Sequence, residues 1–251
     1  MNKKRIPSLS IFLGISLLLG CDYHSDSVYL GREEAKLLGD VNRGDIEAVK
    51  EFLDQGGNVN LQDEPGMTPL HHAVNSNWKG KNFEIVKLLI ERGADAKAID
   101  DTHHTPLHLA SNKETAELLI EAGADVNAKT EGEGETLLFS AAWGAAQGAR
   151  KSHQMYLDLT KLLLDKGADV NVKLREGSMI KEGDTVLHKV ARNYSEKHAS
   201  EVCELLLSYG AKVNELNGKG QTPLDEALAN ERKQTAETLR KHGGKSAANQ
   251  N

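Results

Sequence analysis

Cysteine is almost missing from this sequence: its 251 residues include only Cys21 and Cys203. A single bridge between the extreme N-terminus and a late helix is the most these two can form, so a disulfide framework and a four-thiolate zinc site are both excluded. Proline is scarce, at five residues, and aromatic residues make up 4%. No apolar run approaches the ~20 residues of a membrane-crossing helix. With a mean hydropathy of −0.49, a polytopic transporter is ruled out. Positive charge is in deficit, with 31 Lys and Arg against 37 Asp and Glu and a net charge of −6. Sequence-independent binding to phosphate backbones depends on clustered Lys and Arg, so nucleic acid is not expected as a partner. Gly-x-Ser-x-Gly, a phosphate loop and a spaced carboxylate pair are also absent, and with them the usual signatures of catalysis. The expectation is a non-enzyme with no cofactor and no metal.

Residues 1–20 combine a basic start (Lys3, Lys4, Arg5), an apolar run from Ile11 to Leu19 and no acidic residue. This is the pattern of an export signal. It ends in Leu18-Leu19-Gly20-Cys21, which resembles the lipobox of bacterial lipoproteins. The resemblance implies cleavage before Cys21, a diacylglyceryl group on its thiol and a further acyl chain on its amine. More than one chain is what stable anchoring needs at ~0.8 kcal/mol per buried CH₂. The expected location is the bacterial cell envelope, lipid-anchored and facing the periplasm. Asp22 resembles the inner-membrane retention signal of enteric lipoproteins and favours that membrane over the outer one. Losing residues 1–20 removes Lys3, Lys4 and Arg5 and no acid, deepening the balance from −6 to −9. Cys203, in Val202-Cys203-Glu204-Leu205-Leu206, is expected to be a buried structural thiol.

The rest of the chain repeats one phrase: a Thr-x-Leu box, an amphipathic run, then Leu-Leu and a glycine. The boxes are Thr68-Pro69-Leu70-His71, Thr105-Pro106-Leu107-His108, Thr136-Leu137-Leu138-Phe139, Thr185-Val186-Leu187-His188 and Thr222-Pro223-Leu224-Asp225. Closing phrases such as Gly123-Ala124-Asp125-Val126-Asn127 and Gly167-Ala168-Asp169-Val170-Asn171 recur. Thr caps a helix and Pro fits its first position, so each box is a helix start. Gly56, Gly93, Gly123, Gly167, Gly210 and Gly243 are helix stops. The apolar stripes between them are too narrow to form a core alone, so neighbouring units must stack. The pattern is similar to the ankyrin repeat. It implies an all-α fold, an ankyrin-repeat solenoid of about six helix-pair repeats with hairpin fingers. The expected organisation is a signal peptide over 1–20, a tether over 21–32, the repeat domain over 33–244 and a flexible tail over 245–251. The first unit, near Glu33 to Asn60, lacks the box and reads as a cap.

Box-to-box distances of 37, 31, 49 and 37 residues depart from the ankyrin period of about 33. The extra residues of units two, four and five are expected mainly between paired helices, and unit three is shortened there. Unit five also has a long approach to its box, Leu174 to Asp184. Ankyrin proteins resemble one another in docking partners against fingertips and inner helices. By that resemblance Trp143, seven residues after Thr136, and Trp78 are candidate anchors. Equivalent groove positions are His72, Asn75, Leu109, Asn112, Lys189 and Arg192. Asp63, Glu64, Asp100, Asp101, Glu131, Glu133 and Glu135 form an acidic finger rim suited to a basic partner. His71, His108 and His188 hold the box position, where an imidazole is expected to bond backbone of the next repeat. His103 and His104 have no such explanation; with His108 they spell a His-His-x-x-x-His that could hold zinc, a reading disfavoured beside the box role of His108, and His103 is a candidate contact residue. The function expected is capture of a protein partner by a monomer. Small anchored repeat proteins resemble immunity proteins that neutralise an antibacterial toxin effector. The competing expectation is a scaffold for a resident envelope enzyme in stress defence.

Overall fold

The structure, a computed structural model, describes residues 30–76, 82–147, 152–175 and 182–249. Cys21, most of the tether, Trp78 and the middle of the Leu174–Asp184 approach lie outside these residues. Among the described residues there are eleven α-helices and no strand. They pair along the chain as α1 (Arg32–Arg43) with α2 (Ile46–Asp54), α3 (Pro69–Asn75) with α4 (Phe83–Glu91), and α6 (Leu137–Gln147) with α7 (His153–Asp165). Two more pairs follow, α8 (Val186–Ala191) with α9 (Glu196–Ser208) and α10 (Pro223–Ala229) with α11 (Lys233–Lys241). Helix α5 (Lys113–Glu121) is paired instead with a single 3₁₀ turn, Pro106–Leu109. Each inner element packs on the next inner one and each outer helix on the next outer one. The result is a two-layered stack of six units.

The core is a row of equivalent side chains. Box leucines Leu70, Leu107, Leu138, Leu187 and Leu224 are buried, as are Leu89, Leu119, Leu163, Leu206 and Leu239 of the outer helices. Burying a leucine stabilises by roughly 1.5–3 kcal/mol, and no single helix pair could hide its own stripe without a neighbour. All six stop glycines adopt φ between 83° and 96°, a left-handed conformation that ends each outer helix. Cys203 is fully buried in α9, and burial pushes its thiol far above the ordinary range.

Two expectations change. The added residues of unit five lengthen helix α9 to 13 residues, against nine in α11, and only four residues separate α8 from α9. Unit four likewise extends both helices, to 11 and 13 residues. An insertion that keeps apolar spacing continues the hydrogen-bonded ladder more readily than it opens a loop. The tail expected to fray from Lys245 is bonded through Ala247: the Lys245 N–H donates to Asn214 Oδ1 at 2.7 Å and the Ala247 N–H to Asp225 Oδ2 at 3.0 Å. A 3₁₀ turn, Ala247–Asn249, closes the described chain.

Candidate protein-binding surface

Two sets of polar clasps hold the repeats in register. In three boxes the histidine Nδ1 accepts from its own threonine N–H while Nε2–H donates to a carbonyl of the following finger. Nε2 of His71 is 3.1 Å from the His104 carbonyl, that of His108 is 3.0 Å from Ala128, and that of His188 is 3.1 Å from Gln221. Burial lowers the pKa of all three imidazoles and keeps them neutral. In the last box Asp225 replaces histidine. Burial would raise its carboxyl, but hydrogen bonds from Ser246, Thr222 and Ala247 outweigh that and hold it below the ordinary value. The third box carries Phe139, which has no ring nitrogen, and the buried Thr136 hydroxyl has no hydrogen-bond partner.

The second clasp was not foreseen from the sequence. Asn60, Asn127, Asn171 and Asn214 each donate to the stop-glycine carbonyl of the following unit and accept from an N–H two residues beyond it, at 2.7 to 3.2 Å. The recurring Val-Asn of the closing phrases was its signal. Unit two ends in Ala96-Lys97 instead, so the junction with the shortened unit three lacks this clasp.

That junction borders a notch. The 3₁₀ turn supplies four residues where α3 has seven and α6 eleven. It stops because Asn112 caps α5, its Oδ1 accepting from the Thr115 N–H at 2.9 Å. Asn112, placed in the groove by its offset of seven, therefore starts an outer helix, since no inner helix reaches it. The space left is about 400 Å³, lined by Leu109, Ala110, Ser140, Trp143, Gly144 and Tyr156 among others. Trp143 is half-buried, with the Lys189 ammonium 4.6 Å from its ring centroid. Lys189 itself is buried, and its pKa is lowered first by that burial and then by Arg192.

The other groove candidates are engaged in different ways. His72 Nε2 lies 2.7 Å from Asp63 Oδ2, tying α3 to its own finger. Asn75 is exposed at the end of α3. Arg192 pairs with buried Asp184 at 2.5 Å and lies 3.4 Å from buried Glu226 without hydrogen-bond geometry at its Nε. Asn217 donates to both carboxylates, so Arg192 belongs to a buried network joining the last two units.

Fingertips link by backbone bonds, Asp101 N–H to the Pro65 carbonyl at 3.0 Å and Arg175 N–H to the Glu133 carbonyl at 2.9 Å. Exposed His103 pairs with Glu131 at 3.2 Å, while His104 Nδ1 is 2.7 Å from the Thr102 hydroxyl. Thr102, His104, Glu131, Glu133 and Glu135 surround an acidic pocket of about 480 Å³. Burial first, and then the neighbouring Glu133, raise the Glu135 pKa.

Stacked helix pairs, boxed histidines and stop glycines define a repeat protein of the kind that binds other proteins. A family profile described as ankyrin repeats (3 copies) matches residues 37–130 and 145–250. The chain belongs to the ankyrin-repeat family. It is similar to the crystal structure of an ankyrin repeat domain from Acinetobacter baumannii, with TM-score 0.70 and 25% identity, covering 84% of this chain and 100% of that one. It also resembles a chain in the solved complex of a predatory endopeptidase from Bdellovibrio bacteriovorus with an immunity protein. There the TM-score is 0.59 and the identity 30%, over 82% of this chain and 96% of that one. Among curated proteins it is 34% identical over 191 residues to human ankyrin repeat and SOCS box protein 16, 74% of this chain and 38% of the relative. The chain thus spans well under half of that relative's length.

Proposed function

We propose that this protein is an immunity protein: a lipid-anchored, periplasm-facing ankyrin module that binds and neutralises an antibacterial toxin effector. The observation that carries this reading is the likeness, at 30% identity, to a chain in a complex of an endopeptidase with an immunity protein. Two features of the chain agree with it. The lipobox-like Leu18-Leu19-Gly20-Cys21 suits a protein that must meet a toxin in the periplasm, and Asp22 favours the inner membrane. The stacked helix pairs offer a partner an extended flank, and the act proposed is binding without catalysis, by a monomer.

The test is affinity capture from the native host with the lipidated chain as bait, followed by mass spectrometry and a growth assay. Recovery of an exported hydrolase whose periplasmic expression is lethal alone and tolerated with this chain supports the proposal. Stoichiometric recovery of a resident envelope enzyme whose activity depends on this chain overturns it in favour of a scaffold. Cys21→Ala should move the protein from the membrane to the soluble fraction; unchanged membrane association would sink the anchoring part.

A further inference from the structure

We infer that the notch at the shortened third unit and the acidic pocket beside it form one docking site for a protein loop that presents a bulky apolar side chain next to a lysine or arginine. The inference deepens the proposed function and rests on its reading of the chain as a protein-binding module.

The notch exists because the row of inner helices has a gap at its third place. Its floor is close-packed: the Tyr156 ring lies against Gly144, where an added Cβ would sit 2.9–3.1 Å from ring carbons. It is lined by Ser140 and Trp143 of α6 and by Leu109, Ala110 and Ser111 at the end of the 3₁₀ turn. None of the described lining side chains carries a fixed charge. One positive group, Lys189, already stands 4.6 Å from the Trp143 ring centroid, so a second cation on that ring is opposed by like charge and an apolar group is favoured.

The place for the cation is next door. His104, in the acidic pocket, and His108, in the notch, meet edge to face with ring centroids 5.6 Å apart, so the two concavities share a border. Glu131, Glu133 and Glu135 crowd the pocket, and half-buried Glu135 is held partly against its charge by burial and by Glu133, which Lys189 and His104 offset only in part. A lysine or arginine entering there relieves that repulsion, while an acidic side chain adds to it. The acidic fingertips Asp101 and Glu131 extend the same sign of potential outward, which speeds the approach of a basic loop.

The experiment uses the full exported chain and three fluorescein-labelled cyclic peptides identical except at their centre: Lys-Leu-Arg, Glu-Leu-Glu and Lys-Ser-Arg. Fluorescence anisotropy at low salt should show the first binding at least about tenfold more tightly than the other two. Ser140→Trp, which fills the notch from an exposed position, should erase the advantage over Lys-Ser-Arg. Ser111→Phe does the same from the end of the 3₁₀ turn should the first variant melt early by circular dichroism. Glu133→Gln with Glu135→Gln should erase the advantage over Glu-Leu-Glu, and Glu237→Gln on α11 should change nothing. Equal binding of the three peptides, or an advantage that survives both notch-filling variants, overturns the inference. A chain that captures a toxin yet shows no peptide preference loses this site and keeps the proposed function; a peptide preference without toxin capture does the reverse.

Discussion

At the scale of single residues, the boxes differ in what their threonine achieves. Thr222 Oγ1 accepts from the Asp225 N–H at 3.1 Å, and its single proton is shared between Asp225 Oδ2 and the Lys245 carbonyl, both at 3.0 Å. Thr136 Oγ1 is just as buried and has none of these partners. A buried hydroxyl without a partner carries its full desolvation penalty, and an apolar isostere removes that penalty at no loss of bonding. Thr136→Val is therefore expected to leave unfolding free energy within about 0.5 kcal/mol of the parent or above it, while Thr222→Val lowers it by about 1–2 kcal/mol. Denaturant titrations of the two variants side by side decide this; equal losses would show that the Thr136 hydroxyl is satisfied in solution.

Between elements, the asparagine clasps matter because each joins one unit to the next through two hydrogen bonds. Lys97 stands where the pattern calls for asparagine, and the unit that follows is the one whose inner helix is reduced to a turn. The third unit is thus weakly joined on one side and short of packing on its inner face. Lys97→Asn is expected to raise stability by about 1 kcal/mol, the net worth of one well-made hydrogen bond, and Asn127→Ala to lower it by a similar amount. A drop in melting temperature for Lys97→Asn would refute the clasp. Amide hydrogen exchange should find α5 less protected than α7 or α9; the reverse order would mean that neighbouring units compensate for the short helix.

Across the whole molecule, the three box histidines, buried His71 and His188 and partly buried His108, give stability a common pH dependence. Their folded pKa values lie below the ordinary value near 6.5 because burial disfavours the imidazolium. The unfolded chain then binds more protons than the folded one between the two values, so stability is complete above about pH 6.5 and falls as pH drops below it. Asp100 and Asp225, held below their ordinary values, keep their contribution to lower pH. Glu135, pushed up, acts in the opposite sense to the histidines, while His198, lowered by desolvation and by neighbouring His153, adds to their sense. Melting temperature is expected to be flat from pH 8 to 7 and to decline toward pH 5; a rise over that second interval would contradict the buried neutral histidines.

The order of six stacked units, the helix starts and stops, the cross-repeat role of His71, His108 and His188 and the burial of Cys203 were all legible before any coordinates. They rest on local chemistry that repeats: a capping threonine, a glycine free to turn left-handed, and an apolar stripe that one pair cannot hide. The sequence alone could not say where extra residues go, because a helix and a loop of equal length satisfy the same apolar spacing until a neighbour offers a surface to pack on. Packing sent those of units four and five into α7 and α9, while in unit two seven residues separate α3 from α4 as expected. It likewise turned Asn112 into a cap, drew Arg192 into the buried network with Asp184 and Glu226 and laid Lys189 over Trp143. The notch is the clearest case: a gap belongs to no residue and arises only where elements of four and eleven residues stand side by side.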